Sequence, residues 1–450
     1  MEAGMDDAES WAEQQWGHVK LGDARRTRRA VALGAGMARA PGAGLPKQTA
    51  GWAGLKGAYR LLDRPEATLE AVTAPHRAAV CSTAAMTDGA VLFVHDDTTI
   101  DLTRHNAMQG RGRIGNDGGF GCLAHSCLAL APTGNGTRIL GLASQTAWTR
   151  QHPPAHRHET PTQRRTRRTE ADVWAECIAG IGPCPPGAVW VSVGDRGADV
   201  FSHFDQARAL GWQCLVRVCQ DRRIAGGHLV ESLRALPAMA SRSILVREGS
   251  KRRQVEVALA WTELEIQPAR LRQDKRSPLV CVGLRVWNAT VEWLLVTTLQ
   301  VADEAAAQKT VDWYALRWLV EEFHKALKTG CRLEERQLRT IERFWPLLGF
   351  LSIVAVRLLQ IREAARWTPE ATSDEPDGAV RLLAAALKTS PAAVASHRDF
   401  QRGVARLGGF LARKGDGEPG WQTLWLGFEH LFLLMLGAQL AAEMKPPRCG

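Results

Sequence analysis

The pattern of apolar and polar positions divides the chain into three regions. Up to about residue 80, apolar residues recur at helical spacing, with a Pro/Gly break at 41–46 between two predicted helical stretches. Beyond that point, short apolar runs that end in polar residues predict buried strands alternating with helices. Residues 220–300 hold further strand-like runs between basic turns, and helical spacing returns at 305–365 and 379–444.

Length and composition support a division into several domains. A chain of 450 residues has room for about two to four of them. We expect a helical domain at 1–80, an α/β domain at 81–365 with a β-rich insertion at about 220–300, and a helical region at 366–450. Hydrophobic residues make up 45% and charged residues 23%, which is typical of globular proteins.

Targeting signals and cysteine spacing indicate the cellular compartment. No uninterrupted apolar run reaches the roughly 18 residues that a membrane span needs, and no secretory signal is visible. The ten cysteines lack any Cys-x-x-Cys spacing, which predicts reduced thiols rather than a zinc ribbon or a disulfide framework. We therefore expect a cytoplasmic protein.

The charge balance favours a polyanionic partner. The 57 Lys and Arg residues outnumber the 47 acids, for a formal net charge of +10, and 46 of the 57 are arginine. Arg25, Arg26, Arg28 and Arg29 fall within about two helical turns, a grouping typical of segments that contact phosphates. A solvated helix face explains the same cluster, and genomic base bias explains an arginine-rich composition. Nucleic acid is thus favoured by charge alone, but only modestly.

Two acids follow apolar runs that predict strands. Asp97 comes after the run 90–94, and Asp195 after the run 188–193. Ligands of α/β folds bind at such strand ends, and carboxylates gathered there suit a divalent cation. A turn or helix cap is the alternative role for each residue.

A third acid lies in the predicted helix at 312–329. At about 100° per residue, Tyr314, Arg317, Glu321 and Lys328 share one narrow stripe, while the leucines and Phe323 gather on another side. An ordinary salt-bridged surface gives the same pattern. However, the chain has only two tyrosines, and one of them is on this stripe.

The spacing Tyr314-x2-Arg317-x3-Glu321-x6-Lys328 resembles the Tyr-Arg-Glu-Lys signature of bacterial insertion-sequence DDE transposases of insertion sequence family four. Asp97-Thr98-Thr99 and Asp195-Arg196 resemble that family's other acidic motifs. The resemblance extends to segments in every region of the chain, namely 21–26, 57–60, 355–360 and 405–410.

The resemblance implies an α/β fold, with an RNase H-like mixed-sheet catalytic core and a β-rich insertion, flanked by an N-terminal helical DNA-binding domain and a C-terminal helical dimerisation region. It also implies that Asp97, Asp195 and Glu321 are catalytic and hold two Mg²⁺ ions, with Mn²⁺ able to substitute. Asp96 is a neighbour that strand alternation sends to the opposite face, and the Asp-Thr-Thr pattern selects Asp97. The DNA-binding residues expected from the resemblance and the arginine cluster are Tyr314, Arg317, Lys328, Trp293, Lys325, Arg217, Arg25, Arg26, Arg28, Tyr59 and Arg60, with solvated charges as the alternative for Lys325 and Arg217.

The expected function is cut-and-paste transposition by a homodimer in the bacterial cytoplasm, associated with the nucleoid. Its partners would be double-stranded DNA, both as terminal inverted repeats and as target. Trp293 is expected to stack on a flipped base, with a core tryptophan as the alternative. Rival functions are a catalytically silent DNA-binding protein or repressor, an RNase H-like nuclease and a metallohydrolase. We interpret His152, His156 and His158 as part of a basic loop rather than a zinc site.

Overall fold

One mixed β-sheet forms the centre of the fold. The computed structural model describes residues 3–443 except 116–117, 135, 151–159, 161–167, 249–250, 269–276, 374, 376 and 414. Within these residues the sheet has twelve strands in the order β2-β3-β1-β5-β6-β12-β11-β10-β7-β8, with β4 on β3 and β9 on β10. The strands are β1 Ala90–Asp101, β2 Gly112–Ile114, β3 Gly119–Thr133, β4 Gly136–Trp148, β5 Val189–Gly194, β6 Gln213–Arg217, β7 Arg223–Ile224, β8 Gly227–His228, β9 Ala240–Glu248, β10 Lys251–Ile266, β11 Leu279–Trp287 and β12 Glu292–Thr297.

The direction of the strands confirms the predicted α/β class and its mixed sheet. Strand β1 pairs antiparallel with β3 and parallel with β5, and β5 pairs parallel with β6. Helix α7 (Phe201–Ala209) lies between β5 and β6 and allows the crossover that parallel pairing requires. Three antiparallel strands followed by two parallel ones form an RNase H-like core.

Helices flank this sheet in three groups. The N-terminal group precedes β1, a second group separates the later strands, and the last follows β12. The helices are α1 Ala3–Trp16, α2 Ala24–Arg39, α3 Leu45–Gln48, α4 Gly51–Leu62, α5 Leu69–Ala85, α6 Val173–Ile181, α7 Phe201–Ala209, α8 Leu229–Ala235, α9 Glu304–Ala315, α10 Trp318–Lys325, α11 Ile341–Trp367, α12 Asp377–Ala386, α13 His397–Leu407 and α14 Trp421–Glu443.

The two faces of β1 join different cores, because successive side chains of a strand point to opposite faces. Leu92 and Val94 pack with apolar residues of α9, α10 and α11. Val91 and Phe93 pack instead with Trp174 of α6 and apolar residues of α7. This division decides which side chains of β1 can meet the helix that carries Glu321.

The N-terminal helices begin where the sequence supplies caps. The Asp23 carboxylate accepts a hydrogen bond from the Arg26 amide at the start of α2, and the Thr68 hydroxyl does the same for Ala71 at the start of α5. Helices α2 and α3 approach closely at Gly36. A Cβ added at Gly36 would lie 1.8 Å from the Gln48 carbonyl oxygen, so only glycine fits there.

The β-rich insertion continues the central sheet. Strand β12 pairs with β6 through Leu295↔Arg217 and Val296↔Val216, so strands β7 to β12 extend the sheet away from β1. The expected insertion is therefore strand-rich, but it shares hydrogen bonds with the core sheet instead of standing apart as a subdomain.

Helix α11 is long and apolar enough to cross a membrane by composition, but 78% of its most apolar window is buried inside the protein. It packs against the N-terminal helices, β4 and the C-terminal helices, which makes it the core helix of the molecule. The apolar character that resembles a membrane span thus comes from burial on all sides.

Candidate active site and nucleic-acid interface

Strand β1 places Asp96 and Asp97 on opposite faces of the sheet. Its pairing with β3 runs without a register shift from Leu92↔Leu130 to Asp101↔Gly121. Parallel pairing with β5 ends at Val94↔Val193, so both acids lie beyond the last residue that β5 covers. They occupy the interior of β1 and not, as predicted, the polar segment after its end.

Asp96 faces the helix that carries Glu321. The Arg317 guanidinium contacts the Asp96 carboxylate at 3.1 Å with one nitrogen and the Glu321 carboxylate with the other. Burial, together with the nearby charges of Asp195 and Glu321, raises the pKa of Asp96 to about 6, although Arg317 opposes the shift. Mutual repulsion of carboxylates at one spot is the electrostatic pattern expected of a site that binds a divalent cation.

Asp97 belongs to the other face of β1, away from Arg317, so its expected role as a metal ligand stays a prediction. Its Oδ1 lies 2.7 Å from Nδ1 of His125, its direct partner on β3. Burial disfavours a charged His125, but hydrogen bonds to Asp97 and Cys177 raise its pKa to about 9. The prediction of opposite faces is right, but the strand presents Asp96, and not Asp97, to Arg317 and Glu321.

Asp195 follows β5 directly and begins a short helical turn. Its Oδ1 accepts a hydrogen bond from the Gly197 amide at 2.7 Å. A Cβ at Gly197 would lie 3.0 Å from the Trp174 ring and 3.1 Å from Asp195 Oδ1, so the turn is tight. The cap role that we considered for this aspartate is real, and the charge of Asp195 also raises the pKa of Asp96.

The predicted single helix at 312–329 is broken into segments. Helix α9 ends at Ala315, α10 begins at Trp318, and residues 326–330 form a π-helical turn. Hydrogen bonds to the third residue back tighten the first junction, for example from Val320 to Arg317. A constant 100° per residue therefore does not hold along the whole stretch.

Despite these breaks, Arg317, Glu321 and Lys328 all face β1. Lys328 donates to the Thr99 carbonyl and lies 3.6 Å from Glu334. Tyr314 differs from the prediction, because it is buried rather than on a polar face, and burial raises its pKa.

Tyr314 and Trp293 line a large cleft beside the acids. Their rings lie 5.5 Å apart in an edge-on arrangement. The cleft has a volume of about 1680 Å³, and Arg217 and Arg317 also line it. Arg217 donates to the Glu292 carbonyl at 3.1 Å and is half-buried. Trp293 is half-buried as well, so it both packs on the core and borders the open cleft.

Lys325, which is expected to contact DNA, has an internal partner. Its ammonium lies 3.0 Å from the Glu322 carboxylate and 4.5 Å from the centre of the Trp318 ring. Glu322 is almost fully buried and also accepts from Arg362 of α11 and, at 3.2 Å, from Trp421 of α14. This carboxylate links the helix of Glu321 to the central and C-terminal helices, and the sequence-based analysis missed it.

The N-terminal arginines divide into exposed and internal ones. Arg25 and Arg28 are exposed on α2, whereas Arg26 donates to the Leu21 carbonyl at 2.8 Å and pairs with Glu66 at 3.0 Å. Arg26 therefore stabilises its own domain, and its expected phosphate contact stays a prediction.

Aromatic residues add to this N-terminal surface. Tyr59 and Arg60 are exposed on α4, as a binding role requires. Trp52, at the start of the same helix, is 75% exposed, and the sequence-based analysis missed it. The sequence offered one signal for it, because Trp52 directly follows Gly51 and precedes the apolar stripe of α4. The predicted basic loop with His152, His156 and His158 lies outside the described residues.

Acids gathered on the central strands of an RNase H-like sheet, beside a basic and aromatic cleft, define an enzyme that breaks or joins phosphodiesters of nucleic acid. Comparison with known families narrows this class. A transposase DNA-binding domain matches residues 8–67, a transposase DDE domain matches 148–356, and a transposase Tn5 dimerisation domain matches 353–445. The chain therefore matches, in this order, the DNA-binding, DDE and dimerisation domains of Tn5-type transposases.

The DDE domain match covers two of the acids of the candidate site. The DDE match includes Asp195 and Glu321, and it begins after Asp96 and Asp97. DDE transposase domains normally use divalent metal ions, and carboxylates at the Asp96, Asp195 and Glu321 positions are oxygen ligands suited to such ions.

Proposed function

We propose that this chain catalyses cut-and-paste transposition of a bacterial insertion sequence of family four, in the manner of the transposase of the composite kanamycin-resistance transposon. It would bind the terminal inverted repeats, nick the end, form and resolve a hairpin, and join the ends to target DNA. The observation that carries the proposal is the Arg317 bridge between Asp96 and Glu321, next to Asp195, with Arg317 also lining the cleft.

The same acids would serve every step. Asp96, Asp195 and Glu321 would hold two Mg²⁺ ions, with Mn²⁺ able to substitute, and when bound the ions would supply activation of the attacking oxygen and stabilisation of the leaving oxygen. In the nick, a water oxygen forms a bond to phosphorus and the 3′ oxygen leaves. That 3′-hydroxyl then attacks the opposite strand, water opens the hairpin, and the 3′-hydroxyl finally attacks target DNA. Each step exchanges one P–O bond for another, so one site is sufficient.

Side chains around the cleft would position the DNA. The Arg317 guanidinium is paired with the Asp96 and Glu321 carboxylates. A DNA phosphate would therefore bind Arg317 once these carboxylates bind metal ions instead. Arg217 and Lys328 are the further phosphate contacts that we propose. Trp293 borders the cleft at Tyr314, where a flipped base could stack on its ring.

The flanking domains would supply end recognition and pairing. We propose that Arg25, Arg28, Tyr59 and Arg60 contact the inverted repeats, because all four are exposed on neighbouring helices of the matched DNA-binding domain. Two copies would pair through the matched C-terminal domain to hold both ends. This work would take place on the bacterial nucleoid, in the cytoplasm.

The proposal is tested with purified protein, Mg²⁺ and labelled duplexes that carry the inverted repeats flanking its gene. A denaturing gel should show a nick followed by a hairpin-sized product. Glu321→Ala should keep end binding and lose nicking. Binding without cleavage by the wild-type chain in either Mg²⁺ or Mn²⁺ would support the rival function, a repressor derived from a transposase.

A matched pair of variants tests the first acid of the site. Asp96→Asn should abolish nicking, whereas Asp97→Asn should retain it at a reduced level, because the Asp97 carboxylate is held by His125 on the other face. Both variants should bind the end as the wild type does. The opposite order of activities would return the assignment to Asp97.

A further inference from the structure

A second group of metal-ligating side chains lies behind the sheet, on the face opposite Glu321. His95 of β1, His125 and Cys127 of β3, and Cys177 of α6 all point into this buried layer, and each is at most 2% exposed. Ligand atoms of His95, Cys127 and Cys177 lie within 4.8 Å of one another. Cys177 also hydrogen-bonds to both histidines, and His95 Nδ1 is 3.0 Å from His125 Nε2.

Hydrogen bonds determine where the protons of these histidines sit. His203 Nδ1 lies 3.0 Å from the Ala198 carbonyl, which can only accept, so its Nε2 must accept from Ser192 at 2.9 Å. The Ser192 hydroxyl has then used its proton and accepts from His95 Nε2 at 2.7 Å. His95 Nδ1 is therefore left with a lone pair, directed at His125.

At the other end of this series of hydrogen bonds, Asp97 determines which nitrogen of His125 carries the proton. Its Nδ1 faces the Asp97 carboxylate at 2.7 Å, so that nitrogen donates. A neutral His125 thus also presents a lone pair from Nε2, and two lone pairs would meet at 3.0 Å. A cation has to lie between them, and it is either a proton or a metal ion.

The thiols of Cys127 and Cys177 favour a metal ion over a proton at this position. Cys127 and Cys177 are both free, and thiolates with imidazoles are the ligand set of tetrahedral Zn²⁺. Two thiolates and two neutral imidazoles cancel the ion's charge, which a fully buried site requires. Ligands about 2.0–2.3 Å from zinc lie about 3.3–3.8 Å apart, so the two ring nitrogens would separate by only a few tenths of an ångström.

We propose that His95, His125, Cys127 and Cys177 form a structural Zn²⁺ site, distinct from the carboxylate site. Binding releases the protons that the cysteine and imidazole ligands hold between them. The remaining ring nitrogens already donate to Asp97 and Ser192, which are the outer partners that zinc-bound histidines normally have. The site would tie β1, β3 and α6 together behind the acids.

Metal content of the full-length protein tests this proposal. After dialysis to remove loosely bound ions, the wild type should retain one zinc ion per chain, as measured by inductively coupled plasma mass spectrometry. Cys127→Ser and Cys177→Ser should lose it. Cys214→Ser is the matched control, because Cys214 is equally buried on the same sheet but outside the cluster, and it should keep the zinc.

A second measurement on the wild type does not depend on the folding of variants. Replacement of zinc by Co²⁺ should produce thiolate-to-cobalt charge-transfer absorption and the intense visible bands of tetrahedral cobalt. Loss of the metal to a strong chelator should lower the unfolding temperature. Absence of both zinc and thiolate-bound cobalt would overturn the proposal, as would a Cys127–Cys177 disulfide in the native protein.

Discussion

Replacement of Glu322 by glutamine should destabilise the protein strongly, although the change removes only one charge. The carboxylate is almost fully buried and accepts from Arg362, Lys325, Trp318 and Trp421. Burial opposes its ionisation, but Arg362 and Lys325 overcome this and lower its pKa to about 2, from an ordinary 4.5. A shift of that size corresponds to about 3 kcal/mol of folding free energy at neutral pH.

The sign of the pKa shift fixes the pH dependence. A lowered pKa in the folded state means that the stabilisation is complete well above 4.5 and is lost as pH falls toward 2. The gap between wild type and Glu322→Gln should therefore shrink from about 3 kcal/mol at neutral pH to about 1.5 kcal/mol near pH 3. Because glutamine does not titrate, the unfolding free energy of the Glu322→Gln variant should lack this pH-dependent contribution.

Urea unfolding followed by tryptophan fluorescence measures the difference. The matched control is Glu321→Gln, one residue away, whose carboxylate is partly exposed and pairs with Arg317. It should change stability by less than about 1 kcal/mol while abolishing nicking. Equal urea midpoints for wild type and Glu322→Gln at neutral pH, or a gap that stays constant in acid, would refute the role assigned to Glu322.

Three other substitutions test separate parts of the molecule. Trp293→Ala should still nick DNA but form hairpins poorly, and an unchanged hairpin yield on a sequencing gel would leave it a packing residue. Trp52→Ala should weaken binding to the inverted repeat by roughly 5- to 150-fold in a fluorescence titration, the range expected for loss of one aromatic stacking contact; equal affinity would remove Trp52 from the interface. Gly36→Ala should lower the unfolding temperature because its methyl group would overlap the Gln48 carbonyl, whereas Gly180→Ala, in open space on α6, should leave it unchanged or slightly higher.

Much of the fold could be predicted because its elements follow local periodicity. The apolar runs around 90–94 and 188–193 form β1 and β5 of the central sheet, and the helical spacing at both ends forms α1 to α5 and α11 to α14. These patterns reflect burial of one face or stripe, which neighbouring residues express on their own. The break in the helix around Arg317 could not be predicted, because the tight turns there have no Gly or Pro signal in the sequence.

The candidate site was predicted less completely, since its parts depend on distant contacts. Arg26 and Lys325 have the charge and position of DNA contacts in the sequence, but Glu66 and Glu322 engage them within the fold. Trp293 packs on the core and borders the cleft, so its expected stacking on a flipped base stays a prediction.

The sequence by itself determined the domain order, the α/β class, the basic character and the spacing of Tyr314, Arg317, Glu321 and Lys328. Only the tertiary structure decided which of two adjacent aspartates meets Glu321. Strand alternation separates Asp96 from Asp97, but the face that receives α10 is set by packing across the whole sheet. For the same reason the cluster of His95, His125, Cys127 and Cys177 has no motif, because its ligands come from three elements that meet only after folding.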